Sequence, residues 1–588
     1  MPGPATIFAR RALPSRRWPS SLTAMSGTGN KMLKTFVSAV LTGAMLAAAP
    51  AALAQAEVQQ LGADFWAWRA TTQPATSDDI PRIVRPEGWT PDWSPRAVAE
   101  QRKALAIFEA KWKALADKPQ TASEKVDYRL VGSALSRVHW ELDHVAAWRR
   151  QPHFYVAQAL GPVFEILLPP PPVEAARVEQ VIRLLDNAPA VLAAGQANLD
   201  DMRGPFVDAA LAQIAIVPDS LKGMASGLAP FANAGQRKRL DAAVAKSIKA
   251  FAAFETFLKN RREALPSQTA VGGESYRFFL SNVALYPYTP EQLAQMGRQE
   301  WTRSVLFEEL ERNRNAGMAE LPIGASIDAV VTKLASDESD IRAFLKDKRL
   351  LTVPDWAGHY NALPFPAYLA PIGWLGRTFD LTDRTRVGKN ATVYLPDPSP
   401  NLGYFNLSIA RDPRPIIVHE GVPGHFFQLT LGWKHPNPLR RHYYDSGANE
   451  GTGFYAEEMM LQAGLWDNAP KTREIIYNFA RLRALRVEVD VKLATGEFTI
   501  DQAADYLQAM VPMDRETAEE EATFFAAAPG QAISYQIGKI QTAEFLAEAR
   551  VREGKAFDLK RFHDFLWLNG NVPIALQKEE YLAMVAGK

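Results

Sequence analysis

Ile416-Ile417-Val418-His419-Glu420-Gly421-Val422-Pro423-Gly424-His425 is the stretch from which the rest of the chain is read. Its three leading residues are apolar, so the His-Glu pair is expected on a buried segment. Two histidines on an ordinary zinc-binding helix stand four residues apart, on one face. Here the interval is six. On a regular helix, six residues leave the side chains about 120° apart and ~9 Å apart along the axis, too far to share an ion. Pro423-Gly424 resolves this. Pro removes a ladder donor and Gly permits unusual backbone angles, so the helix must bulge or break. The break is expected to swing His425 back towards His419. Glu420, adjacent to the first imidazole, is then placed as a general base.

A hydrolytic zinc site needs neutral imidazoles or carboxylates at ~2.0–2.2 Å, an open position for water and a carboxylate base beside it. The chain has no cysteine, which excludes thiolate ligands and disulfides. A third donor must therefore be an oxygen or another imidazole. Downstream lies Asn449-Glu450-Gly451-Thr452-Gly453-Phe454-Tyr455-Ala456-Glu457. Glu450 is expected to open a helix capped by Asn449 and to complete the set with His419 and His425. Glu457, seven residues on, shares a face with Glu450 and suits the orienting of a ligand imidazole.

Around this stretch the pattern is mainly α. Helical spacing recurs at 57–70, 95–116, 121–147, 173–197, 199–217, 218–231 and 235–262. Thr289-Pro290-Glu291 starts another helix, running to about 313. Residues 350–415 are rich in Pro, Gly and aromatics. Two strand-like runs there, Ala391–Leu395 and Gly403–Ile409, predict a small sheet or hairpin at the active-site wall. Helices then resume at 415–431, 450–463, 469–494, 499–511, 514–525, 529–550 and 557–567. The expected organisation is a leader over 1–54, an N-terminal helical region over 55–270 and a catalytic helical region over 271–588, the last two forming one compact unit.

The leader has three parts. Lys31 to Lys34 is basic, Phe36 to Ala49 is apolar, and Ala52-Leu53-Ala54 has the small-x-small form of a cleavage site. Residues 31–54 are thus expected to be a signal peptide and the protein to be exported, most simply to a periplasm. Residues 1–30 read as a mis-assigned start. Without 1–54 the chain loses six Lys/Arg and no acid, leaving 60 basic and 65 acidic side chains. That balance does not suggest a nucleic-acid surface. No later run is long and apolar enough to span a membrane.

These segments resemble the bacterial uncharacterised-domain family DUF885, whose members carry H-E-A-x-P-G-H-H-x-Q, E-G-W-A-x-Y-x-E and P-G-Q-x-x-x-Y-x-x-G. The corresponding stretches are His419–Gln428, Glu450–Glu457 and Pro529–Gly538, with Gly272-Gly273-Glu274-Ser275-Tyr276 and Tyr288-Thr289-Pro290-Glu291 upstream. The His-to-Glu spacing is also similar to that of thimet oligopeptidase and angiotensin-converting enzyme. That likeness implies a large two-lobed helical metallopeptidase-like fold with a deep channel, and Zn²⁺ as cofactor. Tyr535 is then the candidate oxyanion donor, with Tyr404 as a second. The chain departs from the family pattern at Phe426 (for a second His), at Thr452-Gly453 (for Trp-Ala) and at Ala494 (for His).

The leading expectation is a zinc-dependent metallopeptidase cleaving short peptides. A zinc hydrolase of other amides or esters is the first alternative, and an exported binding protein with a decayed site the second. Arg481, Arg483 and Arg486 share a helix with Glu488 and Asp490, and are expected on a solvated or ion-paired face, otherwise as a clamp for a substrate carboxylate. His435 and His442 are expected at the surface. His139 and His144 are read as ordinary residues.

Overall fold

Capping chemistry and apolar spacing explain the N-terminal helices. The computed structural model describes residues 56–75, 83–118 and 121–587, so the leader expected over 1–54 lies outside the described residues. Ser94 caps Pro95–Lys113, and a reciprocal Thr121–Glu124 capping box starts α1 (Ala122–His139). Pro152–Leu167, Ala175–Asn198, Gly204–Leu228 and Ala234–Lys259 follow. Their inward stripes meet at Leu130, Val163, Leu185, Val217 and Phe254, all fully buried. The separate helices expected at 199–217 and 218–231 are one helix, Gly204–Leu228, which runs through Pro218. Val217 and Leu221 on either side are fully buried, so packing outweighs the missing backbone donor.

The Pro- and Gly-rich stretch supplies a three-stranded sheet in the order β1-β3-β2. β1 (Tyr360–Pro364) pairs parallel with β3 (Ala391–Leu395), and β2 (Phe379–Asp380) pairs antiparallel with it. The second expected strand, Gly403–Ile409, is not one. It forms α2 (Tyr404–Arg411), whose first N–H donates to Asp514, more than a hundred residues away. Tyr404 and Phe405 both pack on Phe479. Tertiary contacts thus overrode a pattern that read locally as alternation.

The segment that carries the two histidines breaks as its sequence requires. A π-helical turn, Ile417–Gly421, ends with the Val422 N–H bonded to the Ile417 carbonyl. The chain then turns through Pro423-Gly424, and α3 (His425–Gly432) begins. Gly424 is required there, because a Cβ would lie 1.7 Å from the His419 carbonyl oxygen. Ile417, Val418, Val422 and Phe426 are completely buried around the turn, and the Trp567 indole donates to the Pro423 carbonyl. Beyond it stand α4 (Ser446–Ala463), α5 (Pro470–Thr495), α6 (Arg515–Ala527) and α7 (Ile533–Glu553). The described residues form a single unit by their internal contacts. Among the described residues no helix is long and apolar enough to cross a membrane.

Candidate metal centre

The π turn and the Pro-Gly break bring the two imidazoles together, with ring centroids 4.6 Å apart. Helix α4 delivers Glu450 to both. Its Oε2 lies 3.3 Å from His419 Nε2 and 3.0 Å from His425 Nε2. The expected cap is corrected. Asp445 caps α4 by accepting from the Ala448 N–H, and Glu450 sits in the second turn. Asn449 instead turns its side chain to His425, with its amide nitrogen 2.7 Å from Nδ1. Asn571 holds the other end of that amide.

Both imidazoles are fixed from behind. His419 Nδ1 lies 2.6 Å from Glu457 Oε1, and Arg483 binds the same carboxylate at 2.9 and 3.1 Å. Burial and the Arg483 charge act against an imidazolium at His419. Its hydrogen bonds to Glu450 and Glu457 overcome them and raise its pKa to about 9. Burial likewise opposes charge on Glu450, but the His425 and His419 imidazoles hold its pKa well below the usual carboxylate range. A cation entering this cluster must displace the shared protons.

The donor set fits a divalent ion. Ligands at about 2.1 Å in tetrahedral array stand about 3.4 Å from one another, and the two Nε2-to-Oε2 distances, 3.3 and 3.0 Å, are close to that. Glu420 is set further out, with Oε2 3.9 Å from His425 Nε2. That oxygen is buried and has no hydrogen-bond partner. His419, Glu420 and His425 can also present donor atoms within 4.8 Å of one another. Glu450 is the better third donor, because it touches both imidazoles while Glu420 touches neither at bonding distance.

His419, Glu420, Glu450 and Tyr535 line a cavity of about 1160 Å³ between the N-terminal helices, the sheet and the C-terminal helices. Tyr535 stacks on His419 at 6.2 Å, and the Arg486 guanidinium lies 4.8 Å from the Tyr535 ring centroid. Tyr404 also lines the cavity, but its hydroxyl donates to Asn478. Arg481, Arg483 and Arg486 are ion-paired rather than solvated, with Glu308, Glu457 and Glu521. His435 and His442, expected at the surface, are half-buried, and burial lowers the pKa of each to about 4. Phe426, Thr452 and Ala494 are buried and do not line the cavity. Phe426 joins the apolar cluster behind the turn, and Thr452 accepts from Gln428.

One cavity residue was not legible in the sequence. Tyr360, on β1, is fully buried, and its hydroxyl has no hydrogen-bond partner. Burial and the negative charge of Glu420 push its pKa well above the usual tyrosine value. The packing of its ring on Gly421 explains the absence of a side chain there, since a Cβ would lie 2.8 Å from that ring.

Fold and site together define a large, mainly helical protein with a His-His-Glu cluster buried at the wall of a cavity. The chain belongs to the DUF885 family, bacterial proteins of unknown function, whose model matches residues 78–348 and 413–580. Two similar solved structures are described as putative lipoproteins. One, from Shewanella oneidensis and of unknown function, is 19% identical with a TM-score of 0.67, over 90% of this chain and 99% of that one. The other, from Colwellia psychrerythraea, is 16% identical with a TM-score of 0.68, over 92% and 100%. No curated protein matches the chain.

Proposed function

We propose that this protein is an exported zinc-dependent hydrolase, a metallopeptidase acting on short peptides. The observation that carries the reading is the convergence of His419, His425 and Glu450 beside the unpartnered carboxylate oxygen of Glu420. His419 and His425 would hold zinc through Nε2 and Glu450 through Oε2. When bound, zinc supplies Lewis acidity and a water acidic enough to attack at neutral pH. Glu420 takes the proton from the attacking water and passes it to the leaving amine. Glu457 and Asn449 fix the ring planes of His419 and His425. Tyr535 and Tyr360 are the phenols on the cavity wall able to face the developing oxyanion. The two-lobed arrangement of helical zinc peptidases belongs to the same proposal, and a cavity of this size supports a substrate of several residues. Export is supported by the leader read over 31–54 and by the lipoprotein descriptions of the structural neighbours.

The test is metal analysis of the purified chain followed by a peptide-library assay with and without chelator. One zinc per chain and chelator-sensitive peptide cleavage are expected. No stoichiometric zinc after reconstitution would sink the metal reading, and cleavage confined to non-peptide amides or esters would sink the peptidase. Tyr360→Phe gives a sharper check on the chemistry. The lost hydroxyl has no partner in the fold, so thermal stability is expected to change little. A role at the oxyanion predicts a fall in kcat of about 10²–10³-fold. Unchanged kcat would leave Tyr535 as the donor, tested by the matching Phe variant.

A further inference from the structure

The cavity wall carries an arginine that the hydrolytic chemistry does not use. Arg137, in the last turn of α1, is half-buried and lines the cavity together with Glu420 and Glu450. Among the described residues its guanidinium donates no hydrogen bond and forms no ion pair. Its charge faces Asp445, Tyr443 and Tyr286. By contrast, Arg69, Arg483 and Arg486 on the same cavity are matched to Glu141, Glu457 and Glu521. A guanidinium offers five donors and no acceptor, in a fork that suits a carboxylate.

Arg384 and Arg441 reinforce this wall. Arg384 contacts His442, and Arg441 donates to the His435 and Pro436 carbonyls, and neither forms an ion pair with a carboxylate among the described residues. The Trp66 ring stacks on His442 at 6.2 Å and offers apolar surface beside the charges. His419 leads through Tyr535 and Arg486 to Glu521 on α6, which also brings Glu516 and Glu520 to the cavity. Asp445 and Glu450 are five residues apart on α4, about 7.5 Å of helix rise, so the basic wall is close enough for a short peptide to span.

We infer that Arg137 anchors a carboxylate of the substrate, the C-terminal carboxylate of a short peptide whose amino-terminal part reaches the His-Glu cluster. This rests on the peptide reading of the same cavity and adds the orientation of the ligand. The test is calorimetric binding to the full chain carrying Glu420→Gln, stripped of metal so that a carboxylate cannot bind an ion instead. The probes are the pentapeptide Ala-Ala-Phe-Ala-Ala with a free C-terminus and the same peptide as its C-terminal amide. The free acid is expected to bind at least tenfold more tightly, and Arg137→Gln to erase that difference. Equal affinities, binding of neither probe, or a preference that survives Arg137→Gln would each overturn the assignment. The acid-to-amide comparison needs no change at Arg137, so a variant that fails to fold does not spoil it. Because no turnover is read, absent hydrolysis in the unaltered enzyme would sink the hydrolase proposal separately.

Discussion

Glu420→Gln is expected to leave one zinc bound per chain while peptide turnover falls by about 10³–10⁴-fold, the upper part of the range for general acid–base catalysis. The expectation follows from where the two carboxylates stand. Glu450 Oε2 contacts both imidazoles at 3.0 and 3.3 Å, whereas the nearest approach of Glu420 Oε2 to His425 is 3.9 Å and that oxygen has no partner. Gln preserves the shape and one oxygen but cannot accept the proton of an attacking water. The fall should therefore appear in kcat, with KM little changed, because no ground-state contact is removed. Zinc content and kcat measured on the same preparation decide the matter. Loss of zinc in this variant would make Glu420 a ligand and remove it as the base. Near-normal turnover would remove the proposed chemistry altogether.

The sequence shows the helices and most of the donor cluster, and the reasons differ. Helical periodicity and caps such as Thr121, Asn233 and Thr289 are local signals, and these helices start where the signals lie. His419 with His425, and Glu450 with Glu457, could each be read as a local pair, one across a break and one along a helix face, while the packing of the second pair against the first is tertiary. Tyr360 could not be read in this way. Its strand is five residues long, it lies 59 positions before His419, and only the parallel pairing with β3 carries it to the site. The misread cap at Asn449 has a similar origin. Asp445 and Asn449 are both competent caps, and the contact of Asn449 with His425 that decides between them is tertiary. The helix over Tyr404–Arg411 is not legible locally, because the acid that accepts from its first N–H, Asp514, lies 110 residues on, beyond α3, α4 and α5.

The arginine helix was the most ambiguous part of the sequence, and Arg483 settles its meaning by experiment. Arg483→Met is expected to destabilise the fold by about 3–5 kcal/mol, because it leaves the Glu457 carboxylate buried without its principal cation. Arg483 is 6% exposed and Glu457 1%, so water cannot make good the loss. Methionine retains much of the apolar volume between Phe454 and Phe479, both of which face the guanidinium at 5.2 and 5.5 Å. The cost should thus be electrostatic rather than a cavity. Adding Glu457→Gln to Arg483→Met removes the stranded charge and is expected to recover part of the stability, a coupling that a double-mutant cycle in denaturant resolves. Zinc affinity should fall by about 10–100-fold in either variant, since Glu457 holds the His419 ring through Nδ1. The competing role, a clamp for a substrate carboxylate, predicts the reverse: stability and zinc affinity unchanged, with KM alone raised. The geometry favours the first outcome, because the guanidinium already donates to one Glu457 oxygen at 3.1 Å, stands 2.9 Å from the other and faces His419 Nδ1 at 3.4 Å.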